Sequence, residues 1–200
     1  NQVVEKVTPG GTLSIFAGTG DPGVPTAGPA TSSKLLYPTG VAVDSSGNVY
    51  IADPYNSMVE KVTPGGTLSI FAGSGAFGTP TPGPATSSGL FYPYGVAVDS
   101  SGNVYIADTY NNRVEKVTPG GTLSILAGNG DYDVPTAGPA TSSGLANPMG
   151  VAVDSSGNVY IADSNNYRVE KVTPDGTLSI IAGTGDEGVP TPGPATSSGL

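Results

Sequence analysis

Residues 40–53 read Gly40-Val-Ala-Val-Asp-Ser-Ser-Gly-Asn-Val-Tyr-Ile-Ala-Asp53 and contain two short β-rich runs. Residues 40–44 and 48–53 are rich in β-branched, aromatic and small side chains that alternate along the chain. Residues 45–48 between them have the composition of a tight turn, with a glycine where a positive φ is needed. The stretch therefore predicts a β-hairpin.

The same fourteen-residue segment recurs, and its spacing gives the length of the repeat. The hairpin sequence begins at Gly40, Gly95 and Gly150, so the repeat is 55 residues long. Two other segments keep that spacing. Val-Glu-Lys-Val-Thr-Pro begins at positions 4, 59, 114 and 169, and Gly-Pro-Ala-Thr-Ser-Ser begins at positions 28, 83, 138 and 193. A fixed period of this length is typical of repeat architectures.

Two further β-rich runs follow the hairpin in each unit. In the first full unit they are residues 59–63 and 67–72, joined by a Pro-Gly-Gly turn. Within the hairpin, alternation places Val49 and Ile51 on one face and Tyr50 and Ala52 on the other. No window of helical length avoids Gly and Pro while keeping a 3.6-residue period, so we predict an all-β protein.

Four antiparallel strands per unit, with one long connection between units, predict β-propeller blades. The units are a half blade with its inter-blade loop (1–39), two full blades (40–94 and 95–149) and a blade with a terminal loop (150–200). The chain contains four copies of strands three and four but three copies of strands one and two, which predicts fourteen strands, or about three and a half blades. We expect further blades to close or extend the structure, from a longer chain, from other copies in a ring, or from an open-ended assembly.

A family resemblance rests on the pattern P-x-G-V-A-V-D-x-x-G-N-V-Y-I-A-D-x-x-N-x-R-V-x-K-V. This pattern resembles the NHL-repeat β-propellers, particularly the long-looped bacterial type with G-P-A-T-S between blades, over essentially the whole chain. The resemblance implies a radial fold in which the first strand of each blade lines a central channel. The first full blade departs from the pattern, with Ser57-Met58 where Asn112-Arg113 and Tyr167-Arg168 stand later.

Composition excludes several function classes. The chain has no Cys and no His, which removes disulfides, thiolate metal sites and the commonest general base. Its net charge of −9 argues against nucleic acid, and no apolar run is long enough for membrane insertion. We expect no cofactor.

Most carboxylates repeat at the same phase in every unit, which favours a structural role because an active site is asymmetric. Asp44 and its equivalents precede turns, where an Asp side chain bonds its own backbone. Asp53 and Asn56 bracket the turn between strands two and three, and Glu60 lies beside Lys61 on a strand. A ring of Asp carboxylates binding Ca²⁺ at the channel mouth is the sharper alternative. The loop acids Asp21, Asp131, Asp133, Asp186 and Glu187 could hold a cation, but we expect solvated loop charge rather than a metal site.

The variable positions identify a candidate binding surface. In a four-stranded meander, the loop between strands two and three lies at the same end as the inter-blade loop, and nearly all variation falls in these two loops. Aromatic and Arg side chains favour binding surfaces, although neutral drift in loops is the competing explanation. The candidate ligand- or partner-binding residues at this variable rim are Tyr55, Met58, Tyr110, Asn112, Arg113, Asn165, Tyr167 and Arg168.

The inter-blade loop, such as residues 73–93, is long for a connection without regular structure. Its Thr-Pro-Thr-Pro-Gly-Pro composition predicts an extended strap across the blade. Ser/Thr-rich segments with Pro also suit O-glycosylation. The candidate O-glycan sites are Thr26, Thr81, Thr136 and Thr191.

These observations predict a non-catalytic scaffold at the cell surface or outside the cell, which binds other copies of itself or further blades of a longer chain. One alternative is a segment of a larger propeller that binds a protein or glycan on its variable loop face. Another is a lyase- or lactonase-like enzyme whose catalytic residues lie outside this segment. A catalytic role within these residues is disfavoured, because only Tyr, Arg and loop Asp remain as acid–base groups.

Overall fold

The computed structural model describes all 200 residues, Asn1–Leu200, and the fold is all-β. The chain begins with an antiparallel pair, β1 (Val4–Val7) and β2 (Leu13–Ala17). Three four-stranded meanders follow. They are β4 (Gly40–Val43), β5 (Val49–Asp53), β6 (Met58–Val62) and β7 (Thr67–Ala72); β9 (Pro93–Val98), β10 (Val104–Asp108), β11 (Arg113–Val117) and β12 (Thr122–Ala127); and β14 (Pro148–Val153), β15 (Val159–Asp163), β16 (Arg168–Val172) and β17 (Thr177–Ala182). The predicted blades are confirmed.

Each blade also has a fifth strand, which sequence analysis did not predict. Two-residue strands in the inter-blade loops, β3 (Gly28–Pro29), β8 (Gly83–Pro84) and β13 (Gly138–Pro139), pair with the outermost strand of the blade that follows. The structure therefore has 17 strands rather than fourteen. A Gly-Pro pair carries no alternation, so only the three-dimensional path of the loop reveals its pairing.

The inter-blade loop ties neighbouring blades together through a single alanine. The amide of Ala85 donates to the carbonyl of Gly121 in the next blade at 2.9 Å, and its carbonyl accepts from the amide of Gly73 in the preceding blade at 2.9 Å. Ala85 is buried. Ala30 and Ala140 make the same two bonds in the other loops. The loop is thus a strap between blades, as its proline content predicts.

The core lies between blades, so the faces that meet between neighbouring blades are buried. Ile51 packs with Val62 and Leu68 in the cluster toward the preceding strands, whereas Tyr50 and Ala52 lie in the cluster shared with the next blade. Alternate residues of one strand therefore serve opposite interfaces, as the hairpin pattern predicts. This nearest-neighbour packing is the energetic unit of a repeat protein.

The innermost strands β4, β9 and β14 pack side by side, and glycine permits their close approach. A Cβ on Gly40 would lie 2.6 Å from the carbonyl oxygen of Tyr94, and one on Gly95 would lie 2.5 Å from that of Met149. Both distances are shorter than any real contact, so larger residues would push the blades apart. None of the helices is long and apolar enough to cross a membrane.

The turn carboxylates have the structural role expected of them. Asp44 accepts hydrogen bonds from the amides of Ser46 and Asn48 at 2.9 Å, and from the hydroxyl of Tyr50 at 3.2 Å. In the third blade the equivalent bonds, led by the side chain of Asn158, lower the pKa of Asp154 to about 2.

Candidate functional site: the aromatic rim

The two variable loops meet at one end of the blades. The turn between strands two and three is a short 3-10 helix, Pro54–Asn56 in the first full blade, and it presents Tyr55 beside the inter-blade loops. The ring of Tyr55 packs on Tyr37 from the preceding loop at a centroid distance of 5.1 Å and on Tyr92 from the following loop at 4.9 Å. Loops far apart in sequence therefore form one surface.

This surface, which we call the aromatic rim, collects half of the aromatic side chains of the protein. The chain has ten Tyr and four Phe. Seven of these fourteen form a continuous set of ring contacts. They are Tyr37, Tyr55, Phe77, Phe91, Tyr92, Tyr94 and Tyr110.

Tyr92 lies at the centre of the rim. Every other ring except Tyr37 packs against it, at centroid distances from 4.9 Å for Tyr55 to 6.5 Å for Tyr94. Phe77 lies almost parallel to Tyr92, with an angle of 22° between the rings, whereas Tyr110 meets it edge-on at 73°. Such pairs add stabilisation beyond the area that they bury.

The rim faces solvent. Tyr37 is 58% exposed, Phe77 54%, Tyr110 45% and Tyr55 44%. Scattered exposed apolar residues need no explanation, but a contiguous set marks an interaction site. Phe91, Tyr92 and Tyr94 are half-buried, so the rim combines four exposed rings with three that are partly covered.

Two of the rim tyrosines have an unfavourable backbone conformation. Tyr37 has a φ of +56° and Tyr92 a φ of +54°, and each precedes a proline. A positive φ is unusual for a bulky residue, and a following proline restricts the backbone further. The third repeat has Asn147 at this position with a φ of +51°, and Asn tolerates this conformation well. Strain of this kind clusters at functional sites.

The rim is asymmetric around the propeller axis. In the third repeat Phe91 is replaced by Ala146, Tyr94 by Met149 and Tyr110 by Asn165. A residue that only supported the blade would recur in every repeat. The rim therefore meets the criterion that separates a site from repeated structure.

The eight candidate rim residues from sequence analysis fall into three groups. Tyr55 and Tyr110 lie on the aromatic rim. Asn165 is exposed and its amide donates to the hydroxyl of Tyr132 at 3.1 Å, and Tyr167 is half-buried with a φ of +49°. These two lie on the third blade, outside the ring contacts of the rim.

The other four candidates hold loops in place. The guanidinium groups of Arg113 and Arg168 donate to the carbonyls of Asn129 at 2.7 Å and of Thr184 at 3.1 Å. Asn112 is buried and its side-chain oxygen accepts from the amide of Asn147. The terminal methyl of Met58 lies against Gly75. Sequence analysis did not select Tyr37, Phe77, Phe91, Tyr92 and Tyr94 as candidates, although Phe77 and residues 91–94 lie in the loops that it identified as variable.

The loop acids do not converge. No group of three or more Asp and Glu side chains lies close enough to hold a metal ion. Asp133, for example, accepts a hydrogen bond from the neighbouring amide of Val134 at 2.7 Å. The candidate glycan sites Thr26, Thr81, Thr136 and Thr191 are all exposed.

A buried pair of carboxyl groups recurs in each full blade. Asp108 pins the preceding loop, because it accepts from the amide of Phe91 at 2.7 Å and from the side chain of Asn111 at 2.6 Å. Glu115 is fully buried nearby, and neither of its carboxyl oxygens has a hydrogen-bond partner. The equivalent pairs are Asp53 with Glu60 and Asp163 with Glu170.

Burial strongly favours the neutral form of these acids. Burial raises the pKa of Asp108 to about 7, against hydrogen bonds that lower it. Burial, followed by the charge of Asp108, raises the pKa of Glu115 well above its usual value. The corresponding causes raise the pKa of Glu170 to about 8. The alternation of side chains along β6 was a signal in the sequence that Glu60 is buried, because Glu60 lies on the same face of the strand as the buried Val62.

Comparison with known proteins bears on both the fold and the rim. The sequence model of the NHL repeat matches residues 92–116 and 145–171, and a model of the beta-propeller repeat matches residues 27–52. These matches support an NHL-repeat propeller. The first of the two NHL-repeat matches includes the rim residues Tyr92, Tyr94 and Tyr110.

Relatives of this NHL-repeat chain are much longer or distant in sequence. Teneurin-3 of Mus musculus is 28% identical over 196 residues, covering 86% of this chain but only 7% of teneurin-3. A Bacteroides thetaiotaomicron protein of unknown function superposes with a TM-score of 0.67 at 21% identity, over 96% of this chain and 44% of its own. A catalytically inactive virginiamycin B lyase of Staphylococcus aureus, with a His-to-Ala substitution, superposes with a TM-score of 0.55 at 16% identity, over 98% of this chain and 51% of its own. Similar folds therefore include both an enzyme and a protein without a stated activity.

Proposed function

We propose that this NHL-repeat chain is a non-catalytic scaffold that binds a partner through the aromatic rim. The observation that carries the proposal is the strained and asymmetric placement of Tyr37, which is exposed, and of Tyr92, which is half-buried. Their rings do not serve blade packing, because Asn147 takes the same backbone position in the third blade. Selection for a partner accounts for tyrosine at a position where the backbone favours Asn.

A lyase- or lactonase-like reaction is the less supported alternative. The chain has no His, whereas the inactive form of the similar lyase differs from the active enzyme by a His-to-Ala substitution. The titratable groups with the largest shifts are repeated in every blade and buried, so they lack access to a substrate.

A rim variant tests the binding proposal. We expect the purified chain to bind specific members of a protein and glycan array, and the Tyr55→Ala/Tyr92→Asn/Tyr110→Asn variant to lose those signals while keeping its circular dichroism spectrum. Identical binding by the two proteins would contradict the proposal. Turnover of lactone or virginiamycin substrates with added divalent metal would favour an enzyme instead.

A second proposed role is association through blade faces, and two exposed apolar faces support it. At one side of the structure Val41 and Val43 are 55% and 60% exposed and line a cavity of about 470 Å³ with Val49. At the other side Ala152, Tyr160 and Ala162 line a shallow apolar surface. Inside the structure these two surfaces pack on each other, as Tyr50 and Ala52 pack on Val96 and Val104.

We infer that each face accepts further β-strands, from another copy or from additional chain. On the Val41 side these strands would lie beside β1 and β2, since Val4 and Phe16 line the same cavity. Light scattering with negative-stain imaging tests association between copies. A closed particle of several chains or a regular fibre would support it, and Ala162→Arg should then abolish it. A monomer at all concentrations would contradict it. The proposal places the protein outside the cell or at its surface, where mass spectrometry would find glycans on the exposed threonines.

A further inference from the structure

We propose that Asn129 is a site of spontaneous deamidation, at which the chain converts its own side-chain amide to a carboxylate. Asn129 precedes Gly130, and no other Asn of the chain precedes a Gly. The corresponding residues of the other inter-blade loops are Thr19, Ser74 and Thr184, which have no amide to lose. Asn129 is exposed, so water reaches it. The reactive site is therefore particular to one loop of the repeat.

The reaction is an intramolecular displacement followed by hydrolysis. The backbone nitrogen of Gly130 loses its proton to solvent hydroxide and attacks Cγ of Asn129, which forms a C–N bond within a five-membered ring. The Cγ–Nδ2 bond then breaks, and the leaving nitrogen takes a proton from water and departs as ammonia. Water adds to either carbonyl of the cyclic imide that remains. Addition at Cγ gives Asp, whereas addition at the backbone carbonyl gives an isoaspartyl residue whose chain continues through the side chain.

The amide of Gly130 is free to act as the nucleophile, because it donates no hydrogen bond within the chain. The guanidinium group of Arg113 donates to the carbonyl oxygen of Asn129 at 2.7 Å. This oxygen belongs to the same peptide group as the nitrogen of Gly130. A cation bound there stabilises the negative charge that spreads over the peptide group when the nitrogen loses its proton. Arg113 therefore makes the attacking nitrogen easier to deprotonate.

The side chain of Asn129 is held as the electrophile. Its Oδ1 accepts a hydrogen bond from the backbone amide of Asp131 at 2.8 Å. Attack on Cγ places negative charge on this oxygen, and an amide already directed at it acts as an oxyanion-hole donor. One hydrogen bond thus assists the nucleophile, and a second one assists the electrophile.

The glycine is favoured by the same contact that assists the reaction. A Cβ on Gly130 would lie 2.5 Å from a terminal nitrogen of Arg113, and the φ of Gly130 is +98°. A side chain here would displace the guanidinium group from the carbonyl oxygen of Asn129. Its absence also leaves the attacking nitrogen unhindered. The packing of Arg113 therefore favours glycine at the position where ring closure needs it.

Two other sites at which a cyclic imide could form are protected. Asn56 is buried, and the amide that follows it donates to a backbone carbonyl at 3.0 Å. Asp175 precedes Gly176, but the amide of Gly176 donates to the carbonyl of Thr173 at 2.8 Å. Hydrogen bonds from the hydroxyls of Thr173 and Thr177 lower the pKa of Asp175, and an ionised carboxylate resists attack by a nucleophile. Neither site combines a free amide with an activated carbonyl.

Deamidation changes the loop in which it occurs. It adds one negative charge, close in sequence to Asp131 and Asp133, to a chain whose net charge is −9. The isoaspartyl product also lengthens the backbone by one methylene, which shifts the carbonyl oxygen that Arg113 contacts. Because ammonia is lost, the amide is not regenerated in water. The converted fraction therefore increases with the age of the molecule.

Peptide mapping by mass spectrometry tests the proposal on the full chain, incubated in neutral buffer made with water enriched in heavy oxygen. We expect Asn129 to be converted at least about tenfold faster than the buried Asn56, which reacts only after local opening. Both aspartyl and isoaspartyl peptides should form, with heavy oxygen from the solvent. Asn129→Thr, which introduces the residue found at Thr184, should remove the reaction.

A second comparison separates the folded loop from the Asn-Gly sequence. We expect Arg113→Gln to slow conversion at Asn129 by at least about threefold. The parent chain unfolded in urea should also react more slowly than the native chain. Arg168→Gln is the matched control, because Arg168 makes the same contact with the carbonyl of Thr184; it should leave the rate at Asn129 unchanged.

Three results would overturn the inference. Persistence of the Asn129 amide for as long as that of Asn56 would remove the site. A product without any isoaspartyl peptide would show direct hydrolysis instead of a cyclic imide. A rate that is equal or higher in Arg113→Gln, or in urea, would show that the folded loop does not assist the reaction.

Discussion

Glu115 lies on β11 directly opposite Ile106 of β10, on the sheet face that also holds Asp108. Both acids are fully buried, and the Asp accepts two hydrogen bonds while the Glu accepts none. A buried carboxylate without partners is far less stable than the neutral acid. The blade therefore encloses a carboxyl pair that must stay at least partly protonated.

This arrangement predicts that stability falls as pH rises. A group with a raised folded pKa binds more protons when folded, so stability is lost between its unfolded and folded pKa values. The pKa is about 6 for Asp163, about 7 for Asp108 and about 8 for Glu170. We expect the free energy of unfolding to fall by at least about 2 kcal/mol between pH 5 and pH 8.5. Urea denaturation followed by circular dichroism measures it. A constant or rising value would contradict the prediction.

Glu115→Gln should reduce that dependence on pH. The amide is close in shape and cannot ionise, so at pH 8.5 we expect the variant to be more stable than the parent by about 1–3 kcal/mol. Glu5→Gln is the matched control, because Glu5 has the same phase in the repeat but is exposed. Equal effects of the two substitutions would show that burial of Glu115 is not the cause.

Asp108→Ala should release the preceding loop. The substitution removes the acceptor for the amide of Phe91 and one of the two acceptors for the side chain of Asn111, which keeps its bond to the carbonyl of Gly78. We expect a loss of about 2–4 kcal/mol and faster hydrogen exchange at residues 88–93. Unchanged exchange at these amides would argue that the loop is held by other contacts.

Gly95→Ala should separate the innermost strands. The added methyl would lie 2.5 Å from the carbonyl oxygen of Met149, which belongs to the backbone and cannot move aside alone. We expect a loss of about 2–3 kcal/mol in thermal or urea unfolding. Gly120→Ala is the control, since its nearest neighbour is 3.8 Å away and its φ is not positive. A loss of similar size in the control would contradict the steric explanation.

The aromatic rim could be predicted only in part from the sequence. Repeat phase correctly indicated that the two variable loops share one end, because strand direction alternates in a meander. It identified Tyr55 and Tyr110 but also selected Arg113 and Arg168, whose guanidinium groups lie folded over Gly130 and Gly185. Whether a long side chain projects or folds back depends on which carbonyl it can reach, and that carbonyl lies sixteen residues away.

The repeat could be read from the 55-residue spacing of identical segments. The all-β class, the strand alternation and the turn role of Asp44 could also be predicted, because each depends on residues within a few positions of one another. The remaining features required the folded chain. It paired Gly83–Pro84 with a strand of the next blade, brought Tyr37, Tyr55 and Tyr92 together, and enclosed Glu115 between blades. These features join segments of neighbouring repeats, and their distances are set by how blades pack rather than by local conformational preference.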